Sequence, residues 1–151
     1  MVPDAIEREI VIDAPPSVVW SIVTEAQHLA GWFSDEAEID LRPGGRMLLV
    51  WRAHGTYEAR VETVDPPRRF AFRWQTREGE FSDTNSTLVV MTLEAEKTRT
   101  RLRVVESGFA SLPLRDDARA RYADENSRGW ITELDELRTY AAQVVAVHRD
   151  R

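Results

Sequence analysis

Between Glu36 and Phe109 the chain alternates apolar and polar side chains in six successive runs: Ala37 to Leu41, Arg46 to Arg52, Thr56 to Val64, Arg69 to Gln75, Thr87 to Glu94 and Thr100 to Ser107. Turn-forming segments separate them, among them Pro43-Gly44-Gly45, His54-Gly55, Asp65-Pro66-Pro67, Arg77-Glu78-Gly79-Glu80 and Glu96-Lys97-Thr98. A period of two puts successive side chains on opposite faces, and connections this short cannot carry a crossover, so the runs pair as an antiparallel meander. Met47, Leu49 and Trp51, then Phe70, Phe72 and Trp74, then Leu102 and Val104 share one face, which must be covered from water.

The cover is supplied by the segment from Asp116 to Val147. It contains no Gly or Pro except Gly129, and it carries Trp130, Leu134, Leu137, Ala141 and Val144 at spacings of three and four. That is the pattern of one long amphipathic helix, beginning near Asp116 and reaching about His148. At the other end of the chain, Glu7 to Asp13 alternates like a further strand. Pro15-Pro16-Ser17 then opens a short helix to about Glu25, and Ala26 to Phe33 forms a second, the two packing as a small pair. Ser107 to Arg115, with Gly108, Phe109, Leu112, Pro113 and Leu114, is expected to be an irregular, mobile rim with exposed apolar residues.

With 151 residues, one domain spanning 1–151 is expected. A net charge of −6 repels phosphate backbones, which argues against nucleic acid as a partner. The absence of Cys removes disulfides, thiol nucleophiles and Cys-based zinc sites. No secretory pattern opens the chain, and no apolar run approaches the roughly 20 residues that span a bilayer, so a cytoplasmic location is expected.

Several phrases in order carry a family resemblance: Ala14-Pro15-Pro16-Ser17-Val18-Val19-Trp20 with Trp32-Phe33, Leu41-Arg42-Pro43-Gly44-Gly45, Val64 through Trp74, Ser107-Gly108-Phe109, and Gly129-Trp130 with Leu134-Asp135-Glu136-Leu137. They resemble the SRPBCC superfamily over nearly the whole chain, and within it the homologues of the activator of heat-shock protein 90 ATPase. The resemblance implies an α+β helix-grip fold of the START/Bet v 1 kind: a seven-stranded curved antiparallel sheet wrapped on a long C-terminal helix, with two short helices after the first strand. It also implies an apolar cavity between sheet and helix. It does not imply one activity, since the superfamily holds lipid carriers, hormone receptors, polyketide aromatases and cyclases, and an enediyne resistance protein.

The side chains must therefore decide. His28, His54 and His148 are far apart and without ligand spacing, so no metal site and no cofactor are expected; all three are read as surface or structural, with only His28 near a cavity mouth. No nucleophile elbow or triad order supports hydrolysis, and Pro43-Gly44-Gly45 is a turn leading into a strand, not a phosphate cradle. Arg73 and Glu106 are read as opposite in parity to Phe72, Trp74 and Val104, so both are expected to face solvent. The candidate ligand-binding residues are Trp32, Trp51, Tyr57, Phe72, Trp74, Phe109, Leu112, Tyr122, Asn126 and Trp130. Tyr122 and Asn126 lie one helical turn apart, with Gly129-Trp130 a turn further on. The expected role is binding a hydrophobic or aromatic small molecule. The alternatives are a cyclase or aromatase using the same cavity, and a chaperone-associated or stress-response protein whose partners are a chaperone or a second copy of the chain.

Overall fold

The computed structural model describes residues 3–76 and 80–149, with side chains as far as Val147; the Arg77-Glu78-Gly79 turn and the His148 side chain fall outside the described residues. The elements are β1 (Ala5–Ile12), α1 (Pro16–Thr24), α2 (Ala26–Trp32), β2 (Glu36–Ile39), β3 (Arg46–Trp51), β4 (Gly55–Asp65), β5 (Arg69–Gln75), β6 (Ser86–Glu96), β7 (Arg99–Ser107) and α3 (Asp116–Arg149). The seven strands form one antiparallel sheet in the order β1-β7-β6-β5-β4-β3-β2, so β1 crosses over to pair with β7 while the rest is a meander. A bulge between Val61 and Thr63 shifts the register of β4 against β5, and such an extra residue bends the strand. Here it helps curl the sheet around α3.

Local chemistry sets the boundaries. Glu25 is extended, at φ −91° and ψ 135°, and ends α1 while opening α2. Strand β2 stops at Ile39, short of the expected Leu41, because Arg42 donates to the Asp40 carbonyl and Gly45 to the Arg42 carbonyl, so the turn begins earlier. Gly31 lets α2 approach α3: a Cβ there would stand 2.5 Å from the ring of Tyr140.

The core lies between the concave face of the sheet, the α1–α2 pair and the inner stripe of α3. It holds Ile12, Val19, Ile22, Leu29, Met47, Leu49, Val61, Phe70, Phe72, Val89, Met91, Leu102, Val104, Leu134 and Leu137, all buried. The opposite face of the sheet is laced by cross-strand ion pairs such as Arg103 to Glu7 at 2.6 Å and Arg101 to Glu9 at 2.5 Å. Exposed pairs of this kind contribute about 0–1 kcal/mol each, so burial and not charge holds the layers together. Arg73 is on this outer face, 3.7 Å from Glu62, as expected.

The Ser107–Arg115 segment departs from expectation. Gly108, at φ +100°, turns the chain into a short 3₁₀ turn over Phe109–Ser111, and Phe109 and Leu112 are buried with Ala123 in a small separate cluster. The Gly108 amide donates to the Asp4 carbonyl, and Arg119 donates to the Ala110 carbonyl at 2.6 Å. The apolar residues of this segment are anchors, because burying them stabilises the turn more than exposing them would.

Phe72→Ala and Leu137→Ala each delete a fully buried side chain, one from the sheet and one from α3. Each should cost about 3–5 kcal/mol of unfolding free energy in denaturant titration, while Arg103→Ala should cost under about 1 kcal/mol.

Candidate functional site

At the end of the core nearest the β3–β4 turn, packing gives way to polar chemistry. Glu106, near the end of β7, is fully buried, which corrects the expectation that it faces solvent. It lies two and four residues beyond Val104 and Leu102, so the same alternation that buries those residues turns Glu106 inward. Its Oε1 accepts from Trp130 Nε1 at 2.9 Å, and its Oε2 from Trp74 Nε1 at 2.9 Å and Thr87 Oγ1 at 2.6 Å. Asn126 Nδ2 bridges both oxygens at 3.2 and 3.0 Å. Trp74, Thr87 and Glu106 come from three adjacent strands and Asn126 and Trp130 from α3, so one carboxyl ties the sheet to the helix. Burial pushes its pKa above the usual carboxylate range, against the opposing pull of those donors.

Around this knot the aromatic rings form a continuous stack. Phe33 lies parallel to both Trp74 and Trp130, with centroids 5.7 Å away in each case, and Trp51 meets Phe33 and Tyr57 edge-on at 5.2 and 5.4 Å. Every indole N–H in the group is engaged within the protein: Trp32 with the Ile22 carbonyl, Trp51 with the Phe33 carbonyl, and Trp74 and Trp130 with Glu106.

Next to the stack a cavity of about 200 Å³ opens between the ends of β3, β4 and β5 and the first half of α3. It is lined by Trp51, His54, Tyr57, Trp74, Gln75, Tyr122, Asn126 and Glu133. Tyr122, Asn126 and Glu133 reach it together because positions four and seven residues further along a helix return to the same side. Glu133 Oε2 is shut off from solvent and has no hydrogen-bond partner among the described residues. Burial, with Glu136 as a lesser cause, pushes the Glu133 carboxyl up to about 8.

Of the residues expected from sequence to bind a ligand, Trp51, Tyr57, Trp74, Tyr122 and Asn126 line this cavity. Trp32, Phe72 and Trp130 are in the packed core, and Phe109 and Leu112 belong to the separate cluster beneath the 3₁₀ turn. His54, Gln75 and Glu133 line it although the sequence pattern does not single them out as ligand contacts. His54 is exposed at its edge, whereas His28, expected near a mouth, instead has Nδ1 2.7 Å from the Tyr140 hydroxyl. The sequence does carry a signal for Glu133: it lies three residues after Trp130 and beside Leu134, on the inward side of α3. Among the described residues no three His, Asp or Glu side chains gather as a metal ion would need, and no helix is long and apolar enough to cross a membrane.

A curved seven-stranded antiparallel sheet closed on a long C-terminal helix defines the helix-grip class. The family model described as activator of Hsp90 ATPase homolog 1-like protein matches residues 13–142, and the chain belongs to that family. Solved structures share the fold. Protein MLL2253 from Mesorhizobium loti is 20% identical with a TM-score of 0.78, over 92% of this chain and 97% of that one. PFC0360w, an HSP90 activator from Plasmodium falciparum, is 18% identical with a TM-score of 0.73, over 91% and 95%. DynU16, a putative protein in the dynemicin biosynthetic locus, is 22% identical with a TM-score of 0.74; the match covers 91% of this chain but 47% of the longer one. No curated protein matches the sequence.

Glu106→Leu takes the acceptor away from the Trp130 indole, the Asn126 amide and the Thr87 hydroxyl and leaves the Trp74 indole only Thr87 Oγ1, and should lower stability by about 3–5 kcal/mol; Glu106→Gln, which keeps one acceptor oxygen, should cost about 1–3 kcal/mol. Chemical denaturation of both variants measures the difference.

Glu133 makes stability depend on pH. Its pKa is 4.5 when unperturbed and about 8 in the folded chain, so between those values the folded state holds the proton that the unfolded state has released. The stabilisation is complete below the lower value and is lost as pH rises through the upper one. Glu133→Gln should therefore match the wild type near pH 5 and exceed it by roughly 1–3 kcal/mol at pH 9, read from melting curves across the range.

Proposed function

We propose that the protein binds a small aromatic or otherwise apolar molecule in the cavity between β3–β5 and α3. The observation that carries this reading is the character of the wall: Trp51, Tyr57, Trp74 and Tyr122 contribute aromatic surface, and the Trp51 and Trp74 N–H groups are already engaged. Those two indoles can offer a ligand only ring faces and edges, which suits flat apolar molecules. The cavity, at about 200 Å³, is smaller than the roughly 300–1,000 Å³ usual for ligand pockets, which favours a compact ring system over a long acyl chain.

A cyclase or aromatase-type activity is the second reading, and Glu133 favours it. A carboxyl held near pH 8 is protonated at neutrality and could serve as a general acid toward a bound carbonyl. A chaperone-directed role has weaker support. Among the described residues the exposed large hydrophobics are Ile131 and Val147, which are too far apart on α3 to form one patch.

Titration with a panel of aromatic polyketides, flavonoids and fatty acids, followed by Trp fluorescence, tests the binding reading. Compact aromatic members should give saturable changes that are lost in Tyr57→Ala, while fatty acids give none. A flat response to the whole panel overturns it.

A further inference from the structure

Glu106 is fully buried and Glu133 half-buried with its Oε2 shut off from solvent, and their surroundings differ. Glu106 is met by four donor side chains, while Glu133 Oε2 has no hydrogen-bond partner among the described residues. A carboxyl oxygen secluded without a donor is costly to stability, and in Glu133 that cost stands in the wall of a cavity. The other lining residues add to the bias. Trp51, Tyr57, Trp74 and Tyr122 present π surfaces, which attract cations, and neither Arg nor Lys is among the described residues that line the space.

We propose that the cavity selects small aromatic amines, the ligand ammonium pairing with the Glu133 carboxylate while its ring lies against Trp51, Tyr57 and Trp74. The inference rests on the small-molecule reading above and narrows its ligand class. A neutral aromatic hydrocarbon brings no donor to Oε2 and leaves it as it is. A carboxylate ligand brings a like charge towards Glu133 with no basic residue among the described lining to offset it. An ammonium supplies both the missing donor and the opposite charge, and it can make a cation–π contact with the indoles, whose own N–H groups are turned elsewhere.

The charge state of the wall is consistent with this. Among the described residues, the titratable groups around Glu133 are Glu136 on its own helix, Tyr122 further towards the start of α3, and His54 and Tyr57 across the cavity. Burial and Glu136 both hold Glu133 towards its protonated form, and a bound ammonium opposes both. Amine binding and ionisation of Glu133 therefore favour each other.

An isosteric series on the full-length protein tests the assignment. Phenethylamine, phenethyl alcohol and hydrocinnamate have the same ring and a similar tether but differ in the charge at its end. At neutral pH, calorimetry or NMR titration of the indole N–H signals should show phenethylamine binding roughly tenfold more tightly than the alcohol, and hydrocinnamate more weakly than either. In Glu133→Gln the amine should fall to the affinity of the alcohol, which should itself change by less than about twofold. Equal affinity of amine and alcohol in the wild type overturns the amine assignment and leaves the small-molecule reading standing. No binding by any of the three, together with a flat response to the wider aromatic panel, overturns both. The wild-type series separates these outcomes even if the variant fails to fold.

Discussion

The Glu106 carboxyl is the point on which sheet, helix and cavity are mutually aligned. Its two oxygens collect donors from β5, β6 and α3, so the distance and rotation of the helix over the sheet are held by short hydrogen bonds as well as by apolar contact. Apolar packing alone is non-directional and tolerates sliding; a hydrogen-bonded knot does not. Once Asn126 and Trp130 are fixed on Glu106, helical geometry leaves little freedom for Tyr122 and Glu133, which flank them along the same side. The cavity wall is thus a consequence of how the buried carboxyl is satisfied.

The two inward carboxyl groups illustrate how environment divides roles among identical chemical groups. Burial raises the pKa of both, but Glu106 is compensated by indole, amide and hydroxyl donors and functions as structure. Glu133, three residues beyond Trp130, has an oxygen with no such compensation among the described residues and stands in the wall of the cavity. Divergent surroundings of this kind are the usual mark separating a structural acid from a reactive or recognising one.

Much of the fold is legible in the sequence because it rests on periodicity. The strands, the two short helices and the long α3 follow from spacings of two and of three to four, and strand β5 has the bounds the alternation predicts. The site is legible only in part. Trp51, Tyr57 and Trp74 follow from the inward face of the meander, and Tyr122 and Asn126 from helical spacing, but a linear reading does not reveal which large residues fill space and which border it. Phe72 and Trp74 share one face, yet only Trp74 reaches the cavity, because it lies two residues nearer the open end of the sheet. Glu106 defeats the expectation because its parity with Val104 is even, not odd: two residues on, it turns inward with that residue, and two indoles, which can only donate, make burial of its carboxyl tolerable. Phe109 and Leu112 defeat it for another reason, since the Gly and Pro around them suggest a mobile loop while hydrogen bonds to Asp4 and from Arg119 pin it.

The orientation of the indoles also explains why a member of this fold class can keep a cavity without collapsing into it. A Trp beside an empty space would ordinarily swing its polar edge towards the water there, closing or wetting the pocket. Trp51 cannot, because its N–H is held 2.8 Å from the Phe33 carbonyl, and Trp74 cannot, because Glu106 and Thr87 hold its N–H in the opposite direction. Rotating either ring would break a buried hydrogen bond at a cost of about 1–3 kcal/mol, comparable with what filling a small void would return. The aromatic walls are therefore held apart by the polar knot behind them, and the space they border remains available to a ligand.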